Sequence, residues 1–184
     1  MSSEAIQSIL SRIEIESVLA RYNRSLDRLD EEGLRASFHA DATVYMGGQP
    51  GAERVDVPVR EFIPALLGML RELTLTHHQI GNTQIVLEGE IARAETYFTA
   101  LHRTGSAGWS PFPQAKPNED LIVRGRYVDR LDRRDGVWRI AHRTAVADWV
   151  RFDPAADRGV LAAPPEPRGR RDRSDAVYLE GGAT

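Results

Sequence analysis

Residues 74–103 read TLTHHQIGNTQIVLEGEIARAETYFTALHR, and this stretch decides the fold. From Thr74 to Leu87, and again from Ile91 to Arg103, the residues follow the pattern of strands. Only Glu88-Gly89-Glu90 stands between them, so the two runs predict a long antiparallel hairpin. Downstream, Leu121–Leu131 and Val137–Trp149 predict two more strands, joined by Arg133-Arg134-Asp135-Gly136 with its Asp-Gly turn signal. The four strands follow one another as a meander.

Upstream the apolar spacing is three and four. Ile6, Ile9, Leu10, Ile13, Ile15, Val18, Leu19, Tyr22 and Leu26 predict an amphipathic helix from Ser3 to Asp27, capped by Ser2 or Ser3. Leu34 and Phe38 predict a short helix from Glu31 to Phe38 with Asp30 as N-cap. Ala42–Met46 reads as a short strand, and Gly47–Gly51 as a turn. Phe62, Leu66, Met69 and Leu70 predict a third helix from Val59 to Leu73, with Pro64 tolerable in its first turn. Helices followed by an antiparallel meander give an α+β domain. The loop from Thr104 to Asn118 is rich in Gly and Pro and carries Trp109 and Phe112, two apolar groups expected to be buried over a pocket mouth or against another subunit. Residues 1–150 are read as the domain and 151–184 as a partly flexible C-terminal arm. The arm has anchors only at Phe152, Val160 and Leu161, so residues from Pro164 onward are expected to be dispensable for folding.

With 184 residues, 28% charged and 41% hydrophobic, the chain fits one soluble globular domain. It is long enough to bury about 70% of its unfolded surface, so a closed core with an internal pocket needs no staples. The absence of cysteine excludes disulfides, thiolate metal sites and thiol nucleophiles. No apolar stretch approaches the ~20 residues of a membrane span, and no leader pattern opens the chain; a cytoplasmic location without membrane contact is the default expectation. Lys116 is the single lysine, and the arginines are scattered among a slight excess of acids, with net charge −3. This gives no basic face for nucleic acid.

Chemistry needs polar groups on otherwise apolar, inward faces. Asp27 stands at the end of the first helix, whose apolar stripe must face the sheet. His77 and His78 are adjacent in a strand and point to opposite faces, and alternation alone does not say which is inside. His102 shares its face with Ala92, Ala94, Phe98 and Ala100, small residues suited to the concave side of a sheet around a cavity. His142 follows Trp138 and Ile140 on one face, which places it in the core, and His39 reads as exposed. No phosphate loop, nucleophile elbow or zinc motif is present, and the five histidines have no metal spacing. If the chain is an enzyme, an acid–base site without cofactor or metal remains.

Ile13-Glu14-Ile15-Glu16-Ser17-Val18-Leu19-Ala20-Arg21-Tyr22 through Leu26-Asp27, the strand Thr76-His77-His78-Gln79-Ile80-Gly81-Asn82, and Gly125-Arg126-Tyr127 through Gly136-Val137-Trp138-Arg139-Ile140 together resemble the SnoaL-like branch of the nuclear transport factor 2-like superfamily. The likeness covers roughly residues 5 to 150 and implies a cone-shaped α+β barrel, a long helix packed on a curved sheet around one pocket. Within that branch the chain has a functional likeness to the scytalone dehydratase, hexachlorocyclohexane dehydrochlorinase and bile acid 7α-dehydratase lyases. The resemblance implies a catalytic pair, Asp27 with His78, and adds Tyr22, His102 and, by a looser match, the substrate-polarising Tyr45. A pocket holding these is expected to take in Phe98, Trp109, Phe112, Tyr127 and His142 as well. The implied activity is elimination from a small, largely apolar ring compound, with His78 as base and His102 as acid for the departing hydroxyl. Gly125 and Tyr127 stand where scytalone dehydratase has a Ser and an Asn, so the same substrate is not implied. Isomerisation, cyclisation, and a non-catalytic binding or scaffold role are the alternatives on this fold. The partners expected are a small-molecule substrate and further copies of the chain, as a dimer or trimer.

Overall fold

The structure is a computed structural model and describes residues 2–47, 51, 53–106, 112, 114–156 and 169–179. Helix α1 spans Ser3–Arg28. The Ser2 hydroxyl accepts from the Ala5 amide at its start, and Leu29, at φ 53°, turns the chain left-handed at its end. Asp30 caps α2 (Glu31–Ser37) by accepting from the Gly33 amide. Gly33 is required there, because a Cβ would stand 2.2 Å from Ser25 Oγ of α1. Phe38, expected to close α2, instead opens β1 (Phe38–Tyr45), a longer strand than the sequence predicted. The reason is tertiary: Phe38 pairs with Ile140 of the last long strand. After the short β2 (Val57–Pro58) comes α3 (Val59–Arg71), with Pro64 in its second turn rather than its first.

Strands β3 (Leu75–Glu88), β4 (Ile91–Arg103), β5 (Glu119–Arg134) and β6 (Val137–Pro154) form the predicted meander. The sheet order is β2-β1-β6-β5-β4-β3, with β1–β6 parallel and the other neighbours antiparallel. The sheet is not closed: β2 and β3 are its edges. Helix α1 lies against both β3 and β6, which are three strands apart, so the sheet bends around the helix and leaves a space over β4 and β5. Ile15, Val18, Leu19, Tyr22 and Leu26 are the buried face of α1, each large aliphatic contributing about 1.5–3 kcal/mol. Ile6, Ile9, Leu10 and Ile13, which sequence spacing placed on the same stripe, are 45–55% exposed. No helix among the described residues is long and apolar enough to cross a membrane.

Strand β6 runs past the expected boundary at residue 150 to Pro154. Beyond it, residues 169–179, including α4 (Ala176–Leu179), return to the helices and bury Asp175. The expectation that nothing beyond Pro164 packs is therefore corrected. Its anchors are polar, and hydrophobic patterning carries no sign of them. Val160 and Leu161 lie outside the described residues.

Candidate active site

The end of α1 meets the inner face of β3. There both oxygens of Asp27 are taken by one residue: Oδ1 accepts from His78 Nδ1 at 2.7 Å and Oδ2 from the His78 backbone amide at 2.8 Å. His78 is the inward member of the His77-His78 pair, its side chain 5% exposed, while His77 faces out. Burial pushes the Asp27 carboxyl upward, but the hydrogen bonds it accepts, chiefly from His78, outweigh it, so the carboxyl lies below its ordinary value. An ionised carboxylate accepts only, so Nδ1 carries a proton, and in the neutral form of the ring Nε2 presents a lone pair.

His102 stands diagonally across the β3–β4 ladder, its ring edge-on to His78 with centroids 5.1 Å apart. Burial, and the neighbouring His78, lower its pKa to about 3, so the ring is neutral. Its Nδ1 is buried with no hydrogen-bond partner among the described residues. A buried lone pair without a donor costs less than a buried N–H without an acceptor, which assigns the proton to Nε2.

His78 and His102 line a cavity of about 210 Å³ together with Tyr22, Tyr127, Phe98 and Phe112; its other walls are Leu26, Met46, Leu66, Met69, Leu70, Ala100, Val123 and residues 145–147. Tyr127 stacks on Phe98 at 4.4 Å and meets Tyr22 edge-on at 5.8 Å. Phe98 rests against Gly125, where a Cβ would also stand 2.0 Å from the Val146 carbonyl oxygen. Phe112 reaches the cavity 5.5 Å from His102. Trp109 lies outside the described residues. Among the described residues no three His, Asp or Glu side chains gather as a metal site.

Two predicted residues are elsewhere. His142 is not in the cavity: the register slips between Arg130↔His142 and Leu131↔Ile140, so Ala141 is an extra residue that reverses the alternation of β6. His142 faces outward, bonded through Nδ1 to Thr43 Oγ1 at 2.8 Å and through Nε2 to Arg54 at 2.9 Å. Tyr45 shares that outer face, with the Arg54 guanidinium 4.5 Å over its ring. Its neighbour Val44 points to the core, and strand alternation turns Tyr45 away. His39, read as exposed, is buried and bonds the Asp132 carbonyl at 2.9 Å.

The same bulge brings in a residue that sequence reasoning missed. Arg143 is fully buried, paired to Asp129 through two bonds of 2.8 and 2.7 Å, and its guanidinium is sandwiched 4.1 Å from the Tyr22 ring and 4.0 Å from the Tyr127 ring. Asp129 was findable, since it alternates with Tyr127 and Leu131; Arg143 was hidden by the unpredicted bulge. Burial raises the pKa of both tyrosines, against the opposing pull of the Arg143 charge, so both phenols keep their protons.

No curated protein matches the chain. Among solved structures it is similar to a protein assigned as a scytalone dehydratase from Novosphingobium aromaticivorans, at 20% identity and TM-score 0.65, over 84% of this chain and 99% of that one. It is similar to a hexachlorocyclohexane dehydrochlorinase from Novosphingobium barchaimii, at 13% identity and TM-score 0.66, over 88% and 99%. A protein with a cystatin-like fold from Nostoc punctiforme aligns at 21% identity and TM-score 0.55, over 76% and 92%. These likenesses establish the fold. Residues 7–144, which hold Tyr22, Asp27, His78, His102 and Arg143, match the SnoaL-like domain, and the chain belongs to that family.

Proposed function

We propose that the chain is a cofactor-independent lyase of the dehydratase type, acting on a small, largely apolar cyclic substrate. The observation that carries this reading is the His78 ring, held by Asp27 in one tautomer at the wall of an apolar cavity. Nε2 of His78 takes a proton from an acidic C–H, and Asp27 stabilises the imidazolium that forms. Tyr22 and Tyr127 replace Tyr45 as the phenols that donate to the developing enolate oxygen, an effect worth ~3 kcal/mol per well-placed donor. The neutral Nε2–H of His102 donates to the departing hydroxyl, and the proton that leaves with it as water is the one His78 has taken. A cavity of about 150 Å³ holds one benzene ring. At about 210 Å³, this one suits one ring or a compact fused pair.

One observation favours a second reading. Because His102 is neutral, it offers no imidazolium to protonate a leaving group, and His78 can instead return its proton to carbon, which is isomerisation. An open cavity weighs against a scaffold role. Incubation with a panel of neutral cyclic β-hydroxyketones, followed by product mass, separates these readings: a product lighter by one water is elimination, and an unchanged mass is isomerisation. Full turnover by His78→Gln or Asp27→Asn would overturn both enzymatic readings.

A further inference from the structure

Residues 169–179 dock at three points around the dyad. Arg171 donates from Nη1 and Nη2 to the carbonyl oxygens of Leu73 and Leu70, at 2.5 and 2.8 Å, closing the C-terminal end of α3. Asp175, 4% exposed, ion-pairs at 3.3 Å with Arg28, the residue after Asp27. The Tyr178 hydroxyl donates at 3.3 Å to Asp30, which caps α2. Arg24 and Arg173 flank its ring at 5.3 and 4.7 Å.

These points bracket the site. Arg28 and Asp30 fix the chain just beyond Asp27, at the end of α1. Leu70 and Leu73 fix the junction just before β3, whose fourth residue is His78. The Asp27–His78 distance is the distance between those two places, and one short segment holds both. The Arg171 guanidinium is also close enough to Asp27 for their charges to interact.

We propose that residues 169–179 form a clamp that sets the Asp27–His78 geometry, with Arg171 as the positioning residue that joins the end of α3 to the segment ion-paired beside Asp27. The clamp matters for turnover only through the dyad reading above, so its test observes the hydrogen bond and not the reaction. His78 is in an edge strand, and its backbone amide bonds Asp27 rather than a neighbouring strand. Hydrogen exchange of that amide, measured by NMR on the full chain with β5 amides as the internal reference, reports the contact directly.

In Arg171→Met the His78 amide is expected to exchange at least about tenfold faster relative to β5, and the His78 ring nitrogens to show a mixture of tautomers. Unchanged exchange and an unchanged tautomer would overturn the clamp. If Arg171→Met does not fold, Asp175→Asn, which loosens the arm on the Arg28 side, decides by the same two readouts. Turnover retained by His78→Gln would sink the functional reading and leave this measurement standing.

Discussion

Asp27 gives both oxygens to one residue, and that economy makes its replacement informative. In Asp27→Asn one of the two positions facing His78 becomes an N–H opposite an N–H. Loss of the bond and the unmatched donor should cost about 1–3 kcal/mol of stability, read by urea denaturation. On whatever substrate the panel identifies, His78→Gln should reduce turnover by ~10²–10⁴, read as kcat. The pH dependence has a definite sign. His102 has a pKa of about 3 when folded against an ordinary 6.5, so the unfolded chain takes the proton first. Its contribution is complete above 6.5 and is lost as pH falls from there toward 3. Asp27, lowered from 3.8, contributes fully above that value and loses its contribution as pH falls through its own lower one. Thermal melts between pH 7 and 4 should therefore show a slope that His102→Phe flattens and Asp27→Asn does not; equal slopes in all three proteins would contradict this.

Among the elements, β6 carries the largest departure from periodicity. A single extra residue, Ala141, sends His142 out and Arg143 in, and the buried pair with Asp129 follows. Such a pair is poor evidence of stability, because desolvation offsets most of the attraction, but breaking it leaves a charge stranded. Arg143→Met is expected to cost about 3–5 kcal/mol. Adding Asp129→Leu should recover much of that loss, since the stranded carboxylate is then gone. Denaturation midpoints of the single and double variants check this, and a double variant no better than the single would show that the cost is packing and not charge.

At the scale of the molecule, the arm and the exposed surface each make a prediction. Deleting residues 169–184 removes the Arg171 bonds to α3 and the buried Asp175 pair. A loss of ~2 kcal/mol would lower the Tm by about 4–8 °C in a chain of this size, and a truncated protein with unchanged Tm would return the arm to the dispensable status that its composition suggested. Tyr97 and Trp149, 47% and 42% exposed, line one shallow cleft on the outer face of the sheet. A homo-oligomer is expected, and sedimentation velocity tests it: Trp149→Arg should shift a dimer or trimer toward monomer, and a wild type that sediments as one chain would overturn the expectation.

Strand alternation, helical spacing and turn residues are local properties, and they were enough for the helices, the meander and the α+β class. Of the candidate pair, the local pattern placed only Asp27, at the end of α1; alternation left His77 and His78 undecided, and it was the family resemblance that implied the pairing of Asp27 with His78. The faces of His142 and Arg143 were not legible, since both depend on pairing with a distant strand: a bulge of one residue is invisible to a period of two until the partner strand counts the register. The arm was misread for a related reason. Hydrophobic patterning finds segments that bury apolar surface, whereas residues 169–179 are held by bonds to carbonyls and carboxylates that only the folded chain brings within reach.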